Sequence, residues 1–285
     1  MRLQDFESAD SYRATILSSE RITPAETDEV RDLVIEVDAP ALHYDPGQSI
    51  GVIVPGVHAQ GHRKHFRLYT VADTPQQGDD GRPQLRLCVK RCDYIDEYSG
   101  ERYPGIASNY LCDRAPGDEI LINGPFGMPF EVPDNRDADL LLIGMGTGIA
   151  PFRALVKHIY HSVGGWQGRV RLFHGARSGL EMLYRNEQND DLTQYYDRDT
   201  FAAFEALSPR PHWADPIAID EALKERAEEL RDMLEGIDTR VYVAGREEMV
   251  PKLESAFAEI VGDPERWQRR KAEMVAGGRW VELLY

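Results

Sequence analysis

"LLLIGMGTGIAPFRAL", residues 140–155, runs from an apolar strand-like segment through a cluster of glycines into a proline. A continuous apolar run, of the kind buried on both faces of a parallel sheet, ends in glycines at 144, 146 and 148. Pro151 then opens an apolar-periodic helix, where its missing N–H costs nothing. Glycines let a backbone approach a ligand closely, and a helix start aims unpaired N–H groups and partial positive charge outward. Gly146, Thr147 and Gly148 therefore read as a phosphate-cradling turn. The same residues also suit a tight strand-to-helix turn that binds nothing, and they do not spell the G-x-G-x-x-G dinucleotide fingerprint.

Working outward from this turn, strands continue with "RVRLFHG", "TFAAFEAL" and "TRVYVAG". Helices are expected between them over residues 151–162, 180–188, 219–234 and 247–260. Strands alternating with helices imply a doubly wound parallel sheet. Upstream the rhythm differs. "YRATILSSERI", "VRDLVIEVD", "SIGVIVPGV", "FRLYTVAD", "QLRLCVKRC" and "DEILINGPFG" are short β-branched or alternating runs, separated by "YDPGQ", "TPQQGDDGRP" and "RAPGD". That spacing suggests an antiparallel barrel or sandwich. The alternation in "LRLCVKR" puts Leu85, Leu87 and Val89 on one face, with Arg86, Cys88 and Lys90 on the other. The composition break near residues 133–136 divides the chain into domains 1–134 and 135–285.

A length of 285 residues suits two domains, and 42% hydrophobic with 29% charged residues suits a globular protein with a real core. No apolar run reaches the roughly 18 residues of a membrane span. "MRLQDFESADSYRAT" lacks an apolar signal core, and three cysteines fit a reducing, cytoplasmic setting. Cys88 and Cys92 find no second pair to complete a zinc or iron–sulfur set, so free thiols are expected. A net charge of −16 argues against bulk attraction to nucleic acid or anionic lipid. Locally, "GHRKHFR", residues 61–67, is basic: a solvated loop or a docking face for an anionic partner.

Several motifs occur in order: "YDPGQSIGVIVPG", "RLYTVADTP", "LCVKRCDY", "GIASNYLCDRAPGDEILINGPFG", "GMGTGIAPFRAL" and "VYVAGREEM", with a final tyrosine. Together they resemble the plant-type ferredoxin–NADP reductase family across residues 12–285. The resemblance implies an antiparallel FAD-binding barrel followed by a doubly wound NADP(H)-binding domain. It assigns Arg67 to the FAD pyrophosphate, a use that suits a guanidinium fork. Leu68 follows in the same flavin strand, and Tyr69 is placed against one face of the isoalloxazine. Thr70 stands where serine is common, its hydroxyl near flavin N5. Backbone groups of Cys88, Val89 and Lys90 are expected to hold FAD, and Tyr94 to stack on its adenine. Gly105, Ile106, Ala107 and Ser108 resemble the helix start that wraps the pyrophosphate.

On the nicotinamide side, the resemblance implies roles for Gly146, Thr147, Gly148 and Gly245. Ala244 stands where many relatives have cysteine beside the nicotinamide, which implies slower hydride transfer. Tyr285 matches the tyrosine that stacks on the second flavin face and yields to the nicotinamide. Glu282 lies three places before it, whereas the family's acid lies two before, so a proton-relay role for Glu282 requires a bulged strand end. Ser208 and Arg210 match a Ser-Arg pair for the 2′-phosphate, stretched by Pro209, and Arg177 is within sequence reach of the same group. "HWADPIAIDEAL" lacks the tyrosine that stacks on adenine. NADP(H) is the expected coenzyme, with NAD(H) or dual use as the alternative.

The implied activity converts between two-electron and one-electron transfer. A separate ferredoxin or flavodoxin is the expected partner, docking near Arg63, Lys64, Lys90 and Arg91 with weak steering. The alternatives are a reductase component dedicated to an oxygenase or other multi-component system, and a non-catalytic flavin or nucleotide sensor.

Overall fold

The computed structural model describes residues 10–56, 64–95, 100–127, 130–185 and 192–285. The chain forms two compact units, Met1–Phe130 and Glu131–Tyr285, dividing just upstream of the composition break.

The first unit is built on strands β1 (Ser11–Arg21), β2 (Val30–Val37), β3 (Ser49–Pro55), β4 (Lys64–Thr70), β5 (Gln76–Gln77), β6 (Pro83–Lys90) and β9 (Glu119–Phe126). They form one antiparallel sheet in the order β4-β3-β9-β1-β2-β6-β5. Beyond β4 the chain meets β6 again. Val71 bridges Leu87, and the Ala72 N–H donates to the Arg86 carbonyl at 2.8 Å, which closes the sheet into a barrel. The alternation read in β6 governs its packing: Leu85, Leu87 and Val89 are fully buried in the core, while Arg86 turns outward to Asp32 at 2.7 Å. Each such buried aliphatic side chain stabilises the fold by about 1.5–3 kcal/mol. A small hairpin, β7 (Asp93–Ile95) with β8 (Arg102–Pro104), and helix α1 (Ile106–Cys112) lie between β6 and β9. The three cysteines are free thiols.

The second unit holds five parallel strands, β10 (Leu140–Met145), β11 (Val170–Ala176), β12 (Phe201–Leu207), β13 (Arg240–Gly245) and β14 (Trp280–Leu284). Their order is β12-β11-β10-β13-β14. Helix α2 (Ile149–Lys157) begins two residues before Pro151, because Gly146–Gly148 is itself wound into a 3-10 turn. Pro151 still lies in the first turn, where N–H groups have no intrahelical acceptor.

Two expected helices differ from the sequence reading. Over residues 180–188 there is a 3-10 turn at Gly179–Glu181, and Tyr184 adopts a left-handed φ of 57°; residues 186–191 lie outside the described residues. Leu183 is buried, but Leu180 is 60% exposed, so no continuous apolar face exists to hold a helix there. The helix expected over residues 219–234 is two, α3 (Ile219–Lys224) and α4 (Ala227–Glu235), broken where Lys224, Glu225 and Arg226 offer no apolar side chain. Helices α5 (Val250–Val261) and α6 (Pro264–Ala276) complete the unit. Helix α6 starts at an Asp-Pro signal, with Asp263 accepting from the N–H groups of Glu265 (2.8 Å) and Arg266 (3.3 Å). Trp267 of α6, Trp280 of β14 and Phe257 of α5 pack ring to ring in the core. No helix among the described residues is long and apolar enough to cross a membrane.

Candidate functional site

In an open parallel sheet, ligands bind beyond the carboxyl ends of the strands, where the strand order reverses. Here the reversal is at β10, which is flanked by β11 on one side and β13 on the other. The glycine turn sits there. Gly146 has φ +56°, and nothing stands within 4 Å of where its Cβ would be, so the turn is open on that side. Gly148 does the opposite job: a Cβ there would lie 2.1 Å from the Ala244 carbonyl oxygen, so the turn rests directly on the end of β13. Ala244 is fully buried beneath it.

The end of β14 reaches the same place. The Tyr285 N–H donates to the Gly245 carbonyl at 3.0 Å, and its phenol oxygen is 2.8 Å from the Thr147 hydroxyl. Gly146, Thr147, Gly148, Ala244, Gly245 and Tyr285 therefore form one group of residues. Glu282 does not join it. Side chains alternate along a strand, so an acid three places before Tyr285 projects to the opposite face. Its carboxylate accepts from Lys271 Nζ at 2.8 Å and from the Trp280 indole N–H at 2.6 Å. Lys271 also holds Glu254 at 2.5 Å.

The remaining predicted coenzyme residues gather after β11 and β12. The Ser208 N–H donates to the Arg177 carbonyl at 3.2 Å, which joins the two strand ends. Arg177 is exposed and has no ion-pair partner among the described residues. The chain then turns through residues 208–215. Ser208 Oγ donates to the Asp215 carbonyl at 2.6 Å, and Arg210 Nε donates to the Asp215 carboxylate at 2.8 Å. Trp213, 77% exposed, stands in this turn beside Ala214, whose φ of 57° is left-handed.

Beneath the glycine turn lies a residue that the sequence reading passed over. His174 pairs in register with Gly144 and is 2% exposed. Neither ring nitrogen has a hydrogen-bond partner among the described residues. Burial, reinforced by the charge of Arg185, pushes its pKa down to about 3, with the nearby Gly146 carbonyl working the other way. The imidazole is neutral. A lone histidine inside an apolar strand gives no signal of this without the neighbouring strands.

In the first unit, β4 stands first in the strand order, paired along its length with β3 and joined to β6 through the residues that follow it. Arg67 is exposed with no ion-pair partner among the described residues, and Leu68 is 38% exposed. Tyr69 packs against the barrel core, where burial pushes its hydroxyl pKa well up. Thr70 Oγ1 lies 3.0 Å from the buried Ser49 hydroxyl on the paired strand, a partner that only the β3–β4 register reveals. Cys88 and Val89 are buried in β6, and Lys90 is paired with Asp28 at 2.6 Å. Tyr94 is exposed and stacked on Tyr103 at 5.7 Å. Helix α1 starts at Gly105 without a side-chain cap, which leaves the first-turn N–H groups of Ile106, Ala107 and Ser108 for another acceptor. The Ser108 hydroxyl is turned back to the Cys92 N–H at 3.2 Å. Of the basic residues, Arg91 is held by Glu29, Asn109 and Asp113, and Lys64 has no ion-pair partner among the described residues. Arg63 lies outside the described residues.

Comparison with known proteins bears on this arrangement. The sequence model of the oxidoreductase NAD-binding domain matches residues 142–254. A ferredoxin–NADP reductase of Picosynechococcus sp. is 31% identical over 263 residues, covering 90% of this chain and 65% of that protein; the chain thus spans under two thirds of that relative. The cyanelle ferredoxin–NADP reductase of Cyanophora paradoxa is 32% identical over 265 residues, covering 90% of this chain and 71% of the relative. Among solved structures, a ferredoxin-NADP+ reductase from Plasmodium falciparum has the same fold, with a TM-score of 0.72 at 17% identity over 100% of this chain and 98% of that one. That reductase has also been solved with 2′P-AMP. With the barrel, the doubly wound unit and the edge residues in place, these likenesses settle the family: the chain belongs to the ferredoxin–NADP reductases.

Proposed function

We propose that this protein is a flavin-dependent oxidoreductase that exchanges electrons between NADP(H) and a one-electron carrier protein, a ferredoxin or flavodoxin. The observation that carries the reading is Tyr285 bonded across the glycine turn at the switch point of the parallel sheet.

The first unit's residues fit FAD. Arg67 offers a guanidinium fork for a pyrophosphate, and the uncapped start of α1 offers backbone donors to the same group. The exposed Tyr94–Tyr103 pair suits an adenine, and Tyr69 with the exposed Leu68 suits an apolar ring. Bound there, FAD supplies the link between hydride transfer and single-electron transfer. Thr70 is the residue for moving a proton at the ring, with its hydroxyl oriented by Ser49. Glu282 takes no part in that relay in this reading, because Lys271 and Trp280 engage it on the other face of β14.

In the second unit, Gly146 lets the chain's backbone come close to the coenzyme, Gly148 seats the turn on β13, and Tyr285 gives way to the nicotinamide. Arg177, Ser208 and Arg210 suit a 2′-phosphate, a reading supported by 2′P-AMP in the Plasmodium protein. Trp213 offers the flat face that the sequence lacks as tyrosine. The carrier is held by Lys64 and the adjoining Arg63, since Lys90 and Arg91 already serve Asp28, Glu29 and Asp113.

Arg67→Ala tests the flavin half. The variant, folded by circular dichroism, is expected to retain FAD at least about tenfold less well, as loss of a charge-assisted pair implies. Full flavin occupancy after gel filtration would remove Arg67 from the site.

A further inference from the structure

The turn after β12 holds an acid that the family reading leaves without a role. Asp215 engages both residues assigned to the 2′-phosphate: its carbonyl accepts from Ser208 Oγ at 2.6 Å, and its carboxylate accepts from Arg210 Nε at 2.8 Å, with Nη2 at 3.5 Å. The Arg210 side chain is 68% exposed and that of Asp215 is 23% exposed. A phosphate approaching Arg210 from solvent therefore meets a guanidinium whose Nε edge is already taken by a carboxylate.

We propose that Asp215 is a coenzyme-selectivity residue: its carboxylate occupies the Arg210 fork in place of a phosphate and lowers the preference for a 2′-phosphate over a 2′-hydroxyl. The inference rests on the coenzyme reading above. Two effects act in the same direction. To bind a phosphate bidentately, Arg210 must first release its edge from Asp215, and the released carboxylate then lies beside a dianion and repels it. Neither effect touches a coenzyme that carries only hydroxyls at that position. Because exposed ion pairs are weak, the first is modest and Arg210 stays recruitable, so the acid sets a graded preference rather than a block. The Ser208 bond runs to the Asp215 backbone and survives a change of side chain, so Asp215→Asn separates charge from turn geometry.

The experiment is calorimetric titration of the full-length protein and its Asp215→Asn variant with adenosine 2′-phosphate and adenosine 5′-phosphate. The variant is expected to bind the 2′-phosphate about three- to tenfold more tightly, the range an exposed charge pair commands, and the 5′-phosphate within about twofold of the wild type. The gain is expected to vanish in the double variant carrying Arg210→Ala. An equal change for both ligands, a weaker 2′-phosphate complex, or a gain that persists without Arg210 overturns the inference while leaving the coenzyme reading intact. If the folded wild-type protein binds neither adenosine 2′-phosphate nor NADP+, the coenzyme reading falls and takes this inference with it.

Discussion

Tyr285 is held through its backbone N–H, which donates to Gly245, and through its phenol, which lies 2.8 Å from the Thr147 hydroxyl and donates to the Met145 carbonyl at 3.5 Å. In the proposed function only the phenol's contacts must break for a nicotinamide to take the ring's place, and a hydrogen bond is worth about 1 kcal/mol net. Tyr285→Ser is accordingly expected to tighten nicotinamide binding and to shift the NADP(H)-to-NAD(H) ratio by about tenfold, with FAD retained; titration with both coenzymes checks it. His174 makes a second prediction at this scale. An unfolded histidine takes a proton near 6.5, whereas the buried one does so only near 3, so acid favours the unfolded chain between those values. Stability is complete above about pH 6.5 and falls as the pH drops through that window, by up to about 1.4 kcal/mol per pH unit. In His174→Leu that part of the slope disappears from denaturant titrations. The motifs that carry the family resemblance were legible because their signals are local runs of sequence. Ser49, His174 and Asp215 were not, because strand register and a left-handed turn at Ala214 bring them to their neighbours.

At the scale of elements, β14 shows how little shift in sequence changes a role. Side chains alternate along it, so Leu283 shares a face with Tyr285, while Glu282 and Leu284 face the helices, where Leu284 meets the core. The Glu254–Lys271–Glu282 clasp then fastens the strand to α5 and α6. Burial raises the Glu282 pKa, but the donors Lys271 and Trp280 outweigh it and the net shift is downward. Its contribution to stability is thus present above the ordinary value of 4.5 and lost as the pH falls below it. Lys271→Met leaves two part-buried carboxylates without their cation; a loss of about 1–2 kcal/mol in denaturant titrations is expected, and an unchanged midpoint removes the clasp from the account. The long periodic elements were readable from sequence, whereas the helix expected over residues 180–188 was not, since among the described residues of that stretch only Leu183 is buried. Helix α6 carried its own signal in Asp263-Pro264, a cap followed by a first-turn proline.

At the scale of the whole molecule, each unit has its own core and, in the proposed function, its own half of the chemistry: an antiparallel barrel with an exposed arginine and aromatic faces, and a parallel sheet with a glycine turn at its switch point. The change from an antiparallel to a parallel fold was legible in the change of rhythm along the chain, because period-two alternation and fully buried strands are patterns of whole segments. The most direct measurement is rapid mixing of the FAD-loaded protein with NADPH and, separately, NADH, following the flavin absorbance. The expected result is that the protein takes up FAD and that NADPH bleaches its absorption faster than NADH does. A folded protein that takes up no FAD, or whose bound FAD neither coenzyme reduces, would contradict it.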